Sequence, residues 1–177
     1  MDPKLLLQKY ESGDRSFKLL DLIGLNLNGE LLDEVDFRGS NLTGADLVGA
    51  SLIEAYLVGA ILNASDFSRA NLTRVNLRGA QLRGCDFGKA NLTGSNLKGA
   101  ILKNANLAGA NLSGADLRHA DLFQVNFVGA NLSRANLGHA NLRECNFARA
   151  NLTGAILDTS QLGMTLNGAL MDGAILS

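Results

Sequence analysis

Leucine or phenylalanine returns at every fifth residue through most of this chain. The series runs without a break from Leu22 to Leu162. Two residues before each member, from Val35 to Ser160, the chain has only Ala, Ser, Val or Cys. A period of five fits neither an amphipathic helix, whose period is about 3.6, nor a flat strand, whose period is about 2. The chain must therefore bend at regular intervals.

A second period, of twenty residues, indicates how many bends close one coil. Ala-Asn-Leu followed by Thr or Ser recurs with this spacing, starting at Ala70, Ala90, Ala110, Ala130 and Ala150. Four short extended segments per coil would each point one Leu or Phe and one small residue inward. Stacked coils would then place residues twenty apart directly above one another, at the usual inter-strand spacing of about 4.8 Å.

The repeat, Ala-(Asp/Asn)-Leu followed by two variable residues, resembles the pentapeptide-repeat family over residues 17–162. The resemblance implies an all-β fold, a right-handed quadrilateral parallel β-helix of 20-residue coils. The lead-in looks like that of cyanobacterial members at four positions, Tyr10, Gly13, Arg15 and Phe17. That similarity suggests a cyanobacterial source.

Solenoids need covered ends, because the terminal coil exposes apolar surface and unpaired backbone. Asp2 followed by Pro3 is typical of a helix start, and Gly13 is typical of a helix stop. We therefore predict two regions. Residues 1–16 form an N-terminal capping helix and lead-in, and residues 17–177 form the β-helix.

At the C-terminal end the repeat register slips by one after Leu162. The later centres of the repeats are Leu166, Met171 and Leu176. The sequence indicates no second capping helix there, and an open β edge with apolar residues tends to recruit another chain. We therefore expect a homodimer through the C-terminal coils.

The charges are balanced overall but unevenly distributed. The net charge of −1 argues against a dedicated nucleic-acid binder and against a wholly acidic mimic of nucleic acid. Residues 1–66 hold 5 basic and 11 acidic residues, a net charge of −6, and residues 67–177 hold 11 and 6, a net charge of +5. The chain start lacks the apolar core of a signal peptide, and no apolar run is long enough to span a membrane. We expect a cytoplasmic protein with no membrane association.

No arrangement of residues indicates catalysis, a cofactor or a metal site. The sequence shows no nucleophile with a base, no paired carboxylates and no phosphate-binding glycine loop, so we predict that the protein is not an enzyme. His119 and His139 lie one coil apart, but no third ligand is evident. Cys85 and Cys145 occupy inward positions, where Cys acts as a small apolar residue.

One coil departs from the repeat at its outward positions. Ile53, Tyr56, Val58 and Ile61 stand where neighbouring coils have polar residues, and Phe123 is a separate case. Exposed apolar groups in a cluster often mark partner sites, so we predict that these five residues form a binding patch for an unidentified protein. The alternative is that they are tolerated surface residues.

Basic residues form two adjoining columns, Arg78, Lys98 and Arg118 in the first and Arg83, Lys103 and Arg143 in the second. The plainest interpretation is a solubilising surface, with weak contact to an anionic partner as the alternative. Aromatic residues do not alternate with these cations, which argues against sequence-specific binding of nucleic acid.

Two functional hypotheses remain. The first is a non-catalytic, rigid protein-interaction scaffold. The second follows from the resemblance, because quinolone-resistance members of the family are acidic, DNA-mimicking rods that bind DNA gyrase. The candidate mimic here is one acidic column of three residues, Asp46, Asp66 and Asp86. Against it, those members typically have a C-terminal dimerisation helix and inserted loops, neither of which this sequence indicates.

Overall fold

The computed structural model describes residues 2–158 and 163–176. Helix α1 spans Pro3–Glu11, and strands β1, Ile156–Leu157, and β2, Ile175–Leu176, pair in parallel. Between α1 and β1 the chain makes isolated parallel bridges in place of longer strands. Within the described ranges, no helix is long and apolar enough to cross a membrane.

The bridges join residues that are twenty positions apart. They form four ladders that run along the molecule, which we number by their first bridged residue: Ser16 for ladder 1, Asp21 for ladder 2, Asn26 for ladder 3 and Leu31 for ladder 4. Each coil contributes one five-residue repeat to each ladder. The repeats therefore form a β-helix of 20-residue coils, as the sequence predicts.

A tight turn connects each repeat to the next. In the first coil the backbone N–H of Leu25 donates to the carbonyl of Leu22 at 3.2 Å. The third residue of that turn, Gly24, has a φ of 64°, and its counterpart Leu19 has a φ of 56°. A left-handed third residue is the signature of a type II turn. This geometry repeats every five residues and produces the bends that the sequence period requires.

The Asp or Asn that precedes each inward Leu or Phe stabilises the turn that follows it. Its Oδ1 accepts a hydrogen bond from the backbone N–H two residues later, at 2.8 Å from Ser68 to Asp66. Such side-chain acceptors are a common reason for Asp and Asn near turns. Some of these side chains also connect coils, as when Asn106 Nδ2 donates to Asp86 Oδ1 at 3.0 Å.

The interior is a continuous column of Leu and Phe packed against small residues. Every repeat centre from Leu27 to Leu157 is at most 1% exposed. The rings of Phe127 and Phe147 stack with centroids 4.8 Å apart. Each fully buried Leu or Phe contributes about 1.5–3 kcal/mol, so this column is the main source of stability.

Helix α1 covers the N-terminal end of the column. Asp2 caps the helix by accepting from the N–H of Lys4 at 3.0 Å, and Leu6 is fully buried. Tyr10 donates its hydroxyl to the carbonyl of Asp33 at 2.9 Å, which attaches the helix to the first coil.

The C-terminal end is open by comparison. The pairing offset falls from twenty residues to nineteen, with Asn146 opposite Thr165 and Ile156 opposite Ile175. This is the one-residue slip that the sequence indicates, although Leu162 lies outside the described residues. The inward residues Leu166, Ala169, Met171 and Ala174 are only half-buried. Three apolar side chains are exposed: Leu170, Ile175 and the repeat centre Leu176.

Candidate functional site

The five residues of the predicted binding patch lie on three different ladders. Ile53 belongs to ladder 4, Tyr56 and Val58 belong to ladder 1, and Ile61 belongs to ladder 2. Phe123 also lies on ladder 2, three coils beyond Ile61. The structure therefore places Tyr56 and Val58 on one ladder and Ile61 and Phe123 on another, with Ile61 and Phe123 at different positions of the repeat.

The exposure of these side chains is lower than outward positions suggest. Tyr56 is 46% exposed, whereas Ile53, Val58, Ile61 and Phe123 are half-buried. Outward side chains in successive coils stand about 4.8 Å apart and cover one another, which shields all but the longest. Tyr56 is thus the most accessible member of the predicted set.

Tyr56 stands beside a fixed cation. The guanidinium carbon of Arg38 lies 5.8 Å from the centroid of its ring. Asp36 holds Arg38 through two hydrogen bonds, at 2.9 Å from Nε and 2.6 Å from Nη2. The hydrogen bonds from Arg38 hold the pKa of Asp36 below its usual value. Tyr and Arg are the residue types enriched in the energetic centres of protein interfaces, so this pair suits a protein contact.

The first coil exposes further large apolar residues that sequence reasoning missed: Leu19, Ile23 and Leu31. Leu19 is 82% exposed and has the left-handed backbone of a turn, where the other non-glycine residues are polar, charged or Ala. Its Cδ2 lies over Gly39, where an added Cβ would come within 2.7 Å of it. For Leu19 the signal in the sequence was a large apolar residue at a repeat position that otherwise holds Gly, Ala, polar or charged residues.

The acidic column is present, but its carboxylates already have partners. Asp46, Asp66 and Asp86 are successive members of ladder 3 and are half-buried. Each carboxylate accepts the backbone N–H two residues later, at 3.1, 2.8 and 2.7 Å respectively. Arg69 and Lys89 border the same shallow depression of about 390 Å³ as Asp86. The carboxylates of the column therefore stabilise the turns that follow them.

The two histidines stack as their spacing predicts. The ring centroids of His119 and His139 are 5.2 Å apart, and the rings are inclined by 15°. Both side chains are exposed. Across the described part of the chain, no three His, Cys, Asp or Glu residues come close enough to hold a metal ion.

The two cysteines are buried and free. Cys85 Sγ donates to the carbonyl of Leu62 at 2.9 Å, and Cys145 Sγ donates to that of Leu122 at 3.0 Å. Burial raises the pKa of both thiols to about 12. Protonated thiols in these positions are structural, because the thiolate is the reactive form.

The sequence model of pentapeptide repeats matches this chain in 8 copies, over residues 16–52, 50–88, 90–129 and 120–162. No curated protein shows a significant match to the chain.

Several solved structures are similar to this chain. One is HetL, a pentapeptide repeat protein involved in heterocyst differentiation regulation in the cyanobacterium Nostoc sp. strain PCC 7120; it is 28% identical, with 99% of this chain and 94% of HetL covered and a TM-score of 0.38. Another is Rfr23, a pentapeptide repeat protein from the cyanobacterium Cyanothece 51142, which is 24% identical to this chain. The similarity covers 98% of this chain and 95% of Rfr23, with a TM-score of 0.36. A third is QnrB1, a plasmid-mediated fluoroquinolone resistance protein, which is 19% identical to this chain. The similarity covers 92% of this chain and 93% of QnrB1, with a TM-score of 0.42.

Proposed function

Because the chain belongs to the pentapeptide-repeat family, we propose that it is a rigid, non-catalytic scaffold that binds another protein in the cytoplasm. The observation that carries the proposal is the exposed Tyr56 beside the fixed guanidinium of Arg38. An exposed aromatic ring beside a cation has the chemistry of an interface centre. We identify the four ladders with the four sides of a right-handed quadrilateral β-helix, so that a partner meets one flat side.

Replacing Tyr56 with Asn should lower the recovery of the bound protein about tenfold in a pull-down from native lysate, because truncating an interface centre typically costs at least that much affinity. Asn is the residue that the next coil carries at this position, Asn76, so the turn is preserved. The matched control is Asn96→Ser, on the same ladder, which should leave recovery unchanged. A wild-type protein that retains nothing above the bare matrix would contradict the scaffold role.

The C-terminal coils are the proposed site of self-association, as a tail-to-tail homodimer. The exposed side chains of Leu170, Ile175 and Leu176 support this arrangement. Residues 67–177 carry a net charge of +5, so like charges oppose the contact at low salt. We expect sedimentation velocity at high protein concentration to show more dimer at physiological salt than at low salt. A strict monomer at both ionic strengths would rule the dimer out.

Gyrase inhibition is the second candidate function, and the stacking of Asp46, Asp66 and Asp86 in consecutive coils is the observation in its favour. We expect little inhibition in a supercoiling assay at micromolar protein, because these carboxylates serve turns and have cations beside them. The diagnostic variant replaces all three with Asn, which keeps the turn acceptors. Potent, salt-sensitive inhibition that this variant abolishes would make gyrase the preferred target.

A further inference from the structure

In ladder 2, three consecutive coils lack the Asp or Asn that stabilises the turn in most repeats. Ile61, Gln81 and Ile101 occupy the position that Asp or Asn fills in most repeats, and no other ladder does this three times in succession within the described chain. The backbone N–H of Arg83 donates instead to the side chain of Asn63 in the previous coil, at 3.0 Å. Turn stability does not account for the two isoleucines, since each replaces a hydrogen-bond acceptor with an aliphatic group.

Cations border part of this column on both sides. A basic residue comes three positions before the column and another two positions after it at Gln81 and at Ile101, whereas Ile61 has Val58 and Asn63 at these positions. The bordering residues are Arg78, Lys98 and Arg118 on one side and Arg83, Lys103 and Arg143 on the other. Phe123 takes the second basic position in one coil and adds a half-buried aromatic ring. We call this whole set the ladder 2 strip.

The ladder 2 strip remains positive after its internal ion pairs are counted. Arg118 makes a bidentate pair with Asp116, at 2.8 and 2.6 Å, and Lys103 Nζ lies 3.0 Å from Asp121 Oδ2. Glu144, beside Arg143, accepts a hydrogen bond from Gln124. The six bordering cations therefore outnumber these three carboxylates. The centre of the strip carries two aliphatic side chains, Ile61 and Ile101, and continues as Asp121 and Asn141.

We infer that the ladder 2 strip binds an acidic amphipathic helix of another protein. The inference deepens the proposed scaffold function and rests on it. Ile61 and Arg143 are four coils apart, about 19 Å along the axis, which matches about 13 residues of α-helix. The helical pitch of about 5.4 Å is close to the coil spacing of about 4.8 Å, and flexible Lys and Arg side chains absorb the difference. Apolar residues of the helix would lie on the isoleucines, with Asp and Glu pointing to both borders.

The chemistry favours a protein segment over two other anionic partners. An anionic membrane surface is bound by apolar groups that penetrate about 5–10 Å, whereas Ile61 and Ile101 are half-buried and do not project that far. A single-stranded nucleic acid is bound by cations with aromatic stacking partners, and this strip has one aromatic residue, Phe123. Two isoleucines in one column, with cations on both sides of Gln81 and Ile101, match the apolar and acidic faces of an amphipathic helix.

The probe is a fluorescein-labelled helical peptide of about 14 residues, with Leu on one face and Glu on both flanks of that face. Its binding to the full chain is measured by fluorescence anisotropy. We expect the Kd to rise about tenfold in Ile61→Asn/Ile101→Asn and in Arg78→Gln/Arg83→Gln, the scale of losing an interface centre. The Asn substitutions install the residue type that other coils carry, so melting temperatures should not fall.

Two controls make the test specific. Arg134→Gln removes a cation from ladder 4, away from the strip, and should change the Kd less than about twofold. The same peptide with Lys in place of Glu should not bind. Absence of binding by the acidic peptide, equal binding by the basic peptide, or equal loss in Arg134→Gln would each overturn the inference.

A vesicle-binding measurement separates binding of a protein helix from binding of a membrane surface. Vesicles containing phosphatidylserine and phosphatidylcholine should not bind the chain, and vesicle binding without peptide binding would assign the strip to a membrane. The scaffold proposal is tested independently through Tyr56. If the acidic peptide fails while a lysate protein is still retained in a Tyr56-dependent manner, the ladder 2 inference falls and the scaffold function stands.

Discussion

Leu112→Lys should lower the melting temperature by about 10 °C or more, because it places an unpaired charge in the filled interior of the β-helix. Leu112 has no exposed surface, so an ammonium group there could reach water only if the coils moved. Ala110→Leu should also be severely destabilising. Ala110 is 1% exposed, and the added carbons would overpack the space between neighbouring coils. Thermal unfolding followed by circular dichroism measures both effects.

The outward residue between these two positions supplies the control. Asn111 accepts the backbone N–H of Ser113 at 3.2 Å and donates to Thr93 Oγ1 at 2.9 Å. Asn111→Ser keeps a side-chain acceptor near the turn, so its effect should be mild. Near-wild-type melting of both Leu112→Lys and Ala110→Leu would disprove the inward register on which the fold depends.

The sequence predicts the inward register between Val35 and Leu157 because the packing requirement repeats in every coil. An inward position there is surrounded by equivalent positions of the adjacent repeats and coils, so Leu or Phe alternates with a smaller residue. The first coil is less regular, since Leu25 is buried at a small-residue position. The one-residue slip is also visible in the sequence, and the structure pairs Ile156 with Ile175 at an offset of nineteen. The family is likewise confirmed by the match of its sequence model.

The candidate binding patch stays a prediction, because the exposure of an outward side chain depends on the neighbouring coils. Ile53 and Ile61 belong to one coil in the sequence, but the turns send them to ladders 4 and 2. Two outward residues that are five positions apart in the sequence lie on different ladders, whereas two that are twenty positions apart lie on the same ladder. A surface site on a solenoid is therefore found by reading columns of residues twenty apart, as the ladder 2 strip shows.

Some departures from Ala at inward positions also have a physical reason that only the structure shows. Ser65, Cys85 and Cys145 each precede a Phe centre and donate to a backbone carbonyl 23 residues earlier, as Ser65 does to Leu42 at 2.7 Å. Sequence spacing places such a residue inside the coil but does not reveal its acceptor. These bonds connect adjacent coils through the interior.

The two cysteines should react about a thousandfold more slowly with iodoacetamide at pH 8 in the folded protein than after unfolding. Burial raises the pKa of Cys85 and Cys145 to about 12, from an ordinary value near 9, and only the thiolate reacts. At a fixed pH well below both values, this higher pKa lowers the thiolate fraction by about that factor. Mass spectrometry of the alkylated protein with and without guanidinium measures it. Rapid labelling under native conditions would show that the thiols are accessible.

The same raised pKa predicts how stability depends on pH. Each thiol binds its proton more tightly in the folded state than in the unfolded state, so its contribution to stability is fully present below about pH 9. That contribution is lost as the pH rises toward 12, because the unfolded state can release the proton first. We expect the melting temperature of the wild type to fall more steeply over this range than that of Cys85→Ala/Cys145→Ala. The two proteins differ only at these thiols, so parallel curves would mean that the thiols do not contribute.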